Sequence, residues 1–226
     1  MSNTVLELRS VCKSFASEGE NLTIIDGLSL VVQGATKTAI TGESGCGKST
    51  LLNIIGGLES PSSGSIQAGP YAVHELDEAG LSEYRTKYLG LVFQFHYLLK
   101  DFTALENVML PAFMAGMKRK EATDRARALL ADVGLEARMG HFPAQMSGGE
   151  RQRAAVARAL INSPSLVLAD EPTGNLDPAN AATVREILFS VVSRYGNTLI
   201  IVTHDPETAR LADVSYRLQH SGLVAL

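Results

Sequence analysis

Cysteine is nearly missing from this chain: Cys12 and Cys46 are the only two in 226 residues. No disulfide framework can be built on them, and a reducing, cytoplasmic compartment is the expectation. Long apolar runs are missing as well. None approaches the ~18 residues needed to cross a bilayer, so any role at a membrane is expected to come through a partner. An excess of basic charge is also absent. The formal net charge is −4, whereas a nucleic-acid binder carries a basic footprint. The start, Met1-Ser2-Asn3-Thr4-Val5-Leu6-Glu7, has neither the basic residues nor the apolar stretch of a signal peptide. There is no internal repeat and no low-complexity tract. What remains is ordinary for a globular protein, 45% hydrophobic and 19% charged, with enough chain to bury a sizeable core.

Three stretches carry most of the information. The first is Gly42-Glu43-Ser44-Gly45-Cys46-Gly47-Lys48-Ser49-Thr50, in which Gly42, Gly47, Lys48 and Ser49 satisfy Gly-x-x-x-x-Gly-Lys-Ser/Thr. Glycines let such a loop curl until its N–H groups face phosphate oxygens. Lys48 is then expected to reach the β- and γ-phosphates, and Ser49 to hold Mg²⁺. The second is Leu166-Val167-Leu168-Ala169-Asp170-Glu171, an apolar strand tipped by two acids. A strand without charge of its own is buried, so its last residues emerge at the carboxyl edge of a sheet, where ligands bind in open α/β folds. Asp170 suits the surroundings of Mg²⁺, and Glu171 suits the base that polarises an attacking water. Solvated acids at a strand end are the plainer reading of that pair taken alone. The third is Met146-Ser147-Gly148-Gly149-Glu150-Arg151-Gln152-Arg153, a helix start with Ser147 at its N-cap. Its N–H groups and positive end make an anion site, or simply a capped helix with two flexible glycines.

Periodicity places these stretches on an alternating pattern. Strands are predicted at 5–8, 28–32 and 36–41, a helix at 49–55 stopped by Gly56-Gly57, and a strand at 90–93. Helices follow at 104–114 and 118–133, the second ending at Gly134, which predicts a mostly helical insert over 94–145. A helix at 148–161, a strand at 165–169, a helix opened by Asp177-Pro178 and a strand at 198–203 complete the pattern. Strands alternating with helices predict a mainly parallel α/β sheet.

In order and spacing these motifs resemble the ATP-binding cassette (ABC) ATPases, over nearly the whole chain. The resemblance implies a P-loop α/β nucleotide-binding domain of ABC type, with a mainly parallel core sheet, an N-terminal antiparallel β subdomain and a helical subdomain insert. Residues 1–93 and 146–226 would form the core with its β subdomain, and 94–145 the helical subdomain. It implies ATP and Mg²⁺ as cofactors. The ATP contacts would come from Phe15, Gly42, Ser44, Gly45, Cys46, Gly47, Lys48, Ser49 and Thr50, and from Ser147, Gly148, Gly149 and Glu150 facing the nucleotide of a second copy. Gln94 matches the family's glutamine loop, which senses the γ-phosphate and Mg²⁺. Asn175-Leu176-Asp177 matches the loop that crosses the dimer interface, and His204 the switch histidine. Catalysis is thereby assigned to Glu171, His204, Lys48 and Gln94, and the metal to Ser49, Gln94 and Asp170. Phe15 stands where the family has an aromatic on adenine, often Tyr; an ordinary core phenylalanine is the other reading. Cys46 stands where Ser is frequent. It reads as a small residue packing under the loop, or as a reactive thiol near a helix N-terminus whose alkylation blocks ATP binding.

The same resemblance implies partners: a second ATPase subunit in an ATP-dependent homodimer, and integral membrane permease subunits, with no direct nucleic-acid contact. The chain is then peripheral, on the cytoplasmic face of the bacterial inner (plasma) membrane. The permease contact falls on Gln94-Phe95-His96-Tyr97-Leu98-Leu99-Lys100-Asp101-Phe102-Thr103-Ala104-Leu105-Glu106-Asn107-Val108-Met109-Leu110-Pro111, whose apolar residues either line a groove or belong to the insert's core. Within the family this stretch is similar to ATPase subunits of lipoprotein-releasing systems, although Lys100 departs from the proline often found there. Leu52-Asn53-Ile54-Ile55-Gly56-Gly57-Leu58 is shared more widely, with macrolide and peptide efflux ATPases and with mechanotransmitting cell-division ATPases.

Overall fold

The computed structural model describes residues 3–17, 20–219 and 222–226. Along the chain run β1 (Thr4–Ser17), β2 (Glu20–Gln33), β3 (Lys37–Thr41), α1 (Lys48–Ile55), β4 (Ser63–Ala68), β5 (Tyr71–Ala72), α2 (Glu78–Lys87) and β6 (Leu89–Val92). There follow α3 (Ala104–Met114), α4 (Arg119–Asp132), α5 (Gly148–Leu160), β7 (Leu166–Asp170), α6 (Pro178–Arg194), β8 (Thr198–Val202), α7 (Pro206–Arg210), β9 (Val214–Gln219) and β10 (Gly222–Ala225). The chain divides into two compact units, Met1–Arg85 with Thr198–Leu226, and Thr86–Asn197. Among the described residues no helix is long and apolar enough to cross a membrane.

The first unit holds two sheets. In one, β1 lies between β2 and β4, antiparallel to both, with β5 beyond β4. Leu6 and Leu8, Leu28, Leu30 and Val32, and Ile66 and Ala68 alternate into the core while Val31 faces out, the pattern of a sheet with one dry face. The pairing slips between Leu8 and Val11, where Ser10 takes a φ of 48°. In the other sheet β3 runs parallel to both β8 and β9, and β10 closes antiparallel on β9. All five residues of β8 and the three middle ones of β3 are buried, as two-sided burial of a parallel strand requires. Helix α2 docks by one aromatic: Tyr84 is fully buried, and its hydroxyl donates to Ile55 O at 2.8 Å. Residues 58–88 and 205–226, given no elements by the sequence reading, hold β4, β5, α2, α7, β9 and β10. The strand expected at 5–8 extends to Ser17, so Phe15 is a strand residue.

In the second unit β6 pairs parallel with β7, from Leu89 opposite Leu166 to Val92 opposite Ala169. Helix α3 starts with a capping box, Thr103 with Glu106, and α5 with another, Ser147 with Glu150. Half of the buried residues of α5 are alanine (Ala154, Ala155, Ala157 and Ala159), which allows close approach. The approach is closest at Gly90 of β6, where a Cβ would sit 2.3 Å from Ala159 O and 3.1 Å from Pro164 Cγ. Backbone cannot retreat as a side chain can. Gly90→Ala should therefore cost about 2–4 kcal/mol, read as a lower urea midpoint at unchanged slope.

Candidate functional site

Strand β3 delivers the chain into the Gly42–Ser49 loop, and α1 carries it away. Gly47, the N-cap of α1, has φ 99°, and no side chain caps the helix. A Cβ at Gly47 would meet Ile24 Cγ2 at 2.7 Å, so both backbone form and space demand glycine. The positive end of α1 favours an anion. Lys48 is 8% exposed and threads back through the loop, its Nζ donating to Gly42 O and Glu43 O at 2.8 Å each. Cys46 is half-buried with Sγ packed against Gly42. Gly42, Glu43 and His204, which follows β8, line one cavity of about 620 Å³, together with Arg210 and Arg217. Phe15 is not a core residue. It is 40% exposed, with Lys13 Nζ 4.8 Å from its ring centroid and paired to Glu59 at 3.0 Å.

The second unit brings together Gln94, the Ser147–Glu150 turn, Asp170–Glu171 and the Asn175–Asp177 loop. Glu171 follows β7 with φ 42°, a left-handed form seldom taken by a residue with a side chain. Its carbonyl accepts from Gly174 N–H at 3.0 Å, closing the turn. Gln94 Nε2 donates to Asn175 Oδ1 at 3.2 Å, and Asn175 Nδ2 returns a 3.4 Å bond to Gln94 O. Gly148 lies against Leu176, and Gly149 against Asn180, whose Oδ1 would be 2.4 Å from a Cβ. Asn180 in turn donates to Asp177, the N-cap of α6, which lowers that carboxyl's pKa.

Arg138 and Asn107, which lie outside the motifs, help Glu150 and Arg151 to fix this arrangement. Glu150 Oε2 accepts the Ser147 N–H at 2.7 Å and Oε1 accepts Arg138 Nε at 2.8 Å. The Ser147 backbone bond first, and Arg138 second, hold its pKa down at about 2. Arg151 donates to Met146 O at 2.7 Å. Buried Asn107 accepts from Leu99 N–H at 2.7 Å and donates to the carbonyls of Leu99, Phe102 and Thr103. It thereby shapes a loop on which Phe95, Tyr97, Leu99 and Phe102 are exposed. Between them His96 accepts the Leu98 N–H on Nδ1; burial, with Arg151 and Arg158 nearby, pushes its pKa down and favours the neutral ring. A buried Asn four residues after a helix cap, and arginines on an otherwise alanine-rich helix, were the available sequence signals for these roles.

Against known proteins, a family model described as ABC transporter matches residues 25–174. The chain is 60% identical to the lipoprotein-releasing system ATP-binding protein LolD of Treponema denticola over 223 residues, covering 99% of each. It is 56% identical to the protein of that name from Treponema pallidum, over the full length of both. Its fold is similar to two solved structures of the ATP-binding cassette MJ0796, both at 35% identity and covering 96% of each chain. One, a dimer in a post-hydrolysis state with ADP and Pi, superposes with a TM-score of 0.87. The other, described as the dimer of a bacterial ABC transporter cassette, gives 0.88.

The Glu150 box has a pH signature. Its folded pKa lies below the ordinary carboxylate value, so the stabilisation is complete above about pH 4.5 and is lost as pH falls towards about 2. Glu150→Gln should lower the urea-unfolding free energy by about 1–2 kcal/mol at pH 7. The gap to wild type should stay level down to about pH 4.5 and narrow below it. A gap independent of pH would assign the loss to packing.

Proposed function

The chain belongs to the ABC transporter family as an ATP-binding and ATP-hydrolysing subunit, and from that premise we propose that it powers lipoprotein release from the inner membrane. It does so as a homodimer closed around two ATP beneath a separate permease. The observation that carries the proposal is the 60% identity, end to end, with a lipoprotein-releasing ATP-binding protein. The exposed apolar run Phe95, Tyr97, Leu99 and Phe102 supports it by offering a surface for a membrane partner's helix. Attachment is then peripheral, on the cytoplasmic face.

In this reading Lys48 leaves the carbonyls of Gly42 and Glu43 for the β- and γ-phosphates, and the N–H groups of the loop and of α1 hold the phosphate chain. Phe15 offers its ring to adenine. Ser49, Gln94 and Asp170 would hold Mg²⁺, which neutralises charge on the phosphate oxygens. Among the described residues no cluster of three His, Cys, Asp or Glu could hold a metal unaided. Glu171 orients and polarises the attacking water, and His204 contacts the γ-phosphate. Ser147 and Gly149 of the partner subunit cap the γ-phosphate from across the dimer. Each nucleotide is then shared by two chains, ATP binding closes the pair and hydrolysis releases it.

Glu171→Gln should bind ATP normally, hydrolyse at least a hundredfold more slowly, on the order expected for loss of a general base, and elute as a dimer with ATP. Lys48→Ala should bind ATP weakly and stay monomeric. A Glu171→Gln protein that remains monomeric at saturating ATP rules out the shared site. For the cargo, tagged Glu171→Gln protein is trapped with ATP and purified from detergent-solubilised membranes. Recovery of a permease together with acylated lipoproteins is the expected result. A permease accompanied by cell-wall or division proteins moves the assignment to mechanotransmission.

A further inference from the structure

The turn that carries Gln94 is gripped from both sides by one helix. Gln152, buried in the middle of α5, donates from Nε2 to Phe93 O at 2.7 Å, one residue before Gln94. Arg158, about 9 Å further along the helix axis, donates from Nη2 to His96 O at 2.8 Å and from Nη1 to Tyr97 O at 2.7 Å. Tyr97 takes φ 45°, a form the chain does not hold by preference. Arg158 is partly buried, and the bonds of its guanidinium described here go to those two carbonyls. A guanidinium with only neutral carbonyls to satisfy it is costly to bury, and an apolar side chain would fill the same space more cheaply. Packing therefore does not account for it. What it supplies is a fork that fixes two successive carbonyls at once.

We propose that Arg158 and Gln152 are positioning residues for Gln94, and that α5 is the strut linking Gln94 to the Ser147–Glu150 turn at its own N-terminus. The proposal rests on the roles given above to Gln94, at the Mg²⁺ of its own subunit, and to Ser147–Glu150, at the nucleotide of the other. A movement of α5 when its N-terminus meets the second nucleotide displaces the carbonyls on either side of Gln94. The two ATP sites thereby sense one another without a contact between them. Free of that load, Gln94 rests on Asn175, its present partner.

The test uses the full-length chain. The Mg²⁺ concentration giving half-maximal ATPase is measured for wild type, Arg158→Lys, Gln152→Leu, Gln94→Ala and the Arg158→Lys, Gln94→Ala double variant. Mg²⁺-free ATP binding is the second readout. Lysine keeps the charge but cannot span both carbonyls. Arg158→Lys should raise the Mg²⁺ requirement about five- to tenfold, leave Mg²⁺-free ATP binding unchanged, and add nothing to Gln94→Ala. Gln152→Leu should act in the same direction, so a poorly folding arginine variant does not end the test. An unchanged Mg²⁺ requirement in both single variants overturns the proposal, as does a rise that adds in full to Gln94→Ala. If Gln94→Ala itself leaves the Mg²⁺ dependence intact, the metal role of Gln94 is what fails. Amide exchange at residues 94–99 then decides the positioning separately: faster exchange in Arg158→Lys supports the strut, and unchanged exchange removes it.

Discussion

Where β6 ends, the chain has carbonyls to satisfy and no further ladder to satisfy them, and the donors come from α5. Much of the second unit depends on that arrangement. A side chain can reach Phe93 O and Tyr97 O only if the helix lies close along the strand, and it lies close because the strand offers Gly90 opposite Ala159. Close packing in turn fixes the height at which α5 begins. Arg138 and Glu150 secure that beginning from outside, and Arg151 ties it to Met146 O. The Ser147–Glu150 turn, the Gln94 turn and strand β6 are thus set by one helix rather than by three independent loops.

Two helices here begin at glycine-rich turns, and their starts are built in opposite ways. Helix α5 starts with a capping box: Ser147 Oγ accepts from Glu150 N–H, and the Glu150 carboxylate accepts from Ser147 N–H. Helix α1 has no side-chain cap, and Lys48 in its first turn is folded back onto the loop's carbonyls. A capped start keeps its shape with nothing bound, as a surface that must meet an incoming partner requires. An uncapped start with Lys48 already drawn inward presents the positive end of its helix. It gains most from an anion, and exchanging two carbonyl bonds for phosphate bonds needs little movement of the ammonium.

The functional stretches were legible because each is local. A phosphate loop, an acid-tipped buried strand and a capped helix start declare themselves within eight or nine residues, and family resemblance supplied Gln94 and His204. The antiparallel sheet was legible only at its apolar centre, around residues 5–8 and 28–32. Strand β4 reads Ser-Gly-Ser-Ile-Gln-Ala, with two buried side chains, and is a strand because β1 pairs with it. Helix α2 buries Tyr84 and little else, so it has no apolar stripe to announce it. Arg138 and Gln152 were illegible, and Asn107 and Arg158 gave a signal without a target, for a related reason. Each acts on backbone atoms of another segment, and a carbonyl in need of a donor leaves no trace in the residue that bears it. Arg158 and Tyr97 lie 61 positions apart.

The two left-handed residues after β6 and β7 show how far function overrides backbone preference. Tyr97 and Glu171 have φ values of 45° and 42°, where glycine would sit without strain. Each costs on the order of 1 kcal/mol or more relative to that choice. At 171 the turn back to Gly174 needs the left-handed form and the proposed chemistry needs a carboxylate, two demands that glycine cannot meet together. At 97 the ring stands edge-on to Phe93 at 5.6 Å and remains exposed beside Phe95. The strain there is offset by Arg158 on the tyrosine's own carbonyl. A left-handed side-chain-bearing residue in the segment that follows a buried strand thus marks, in both cases, a place where the side chain is worth more to the protein than the relaxed turn.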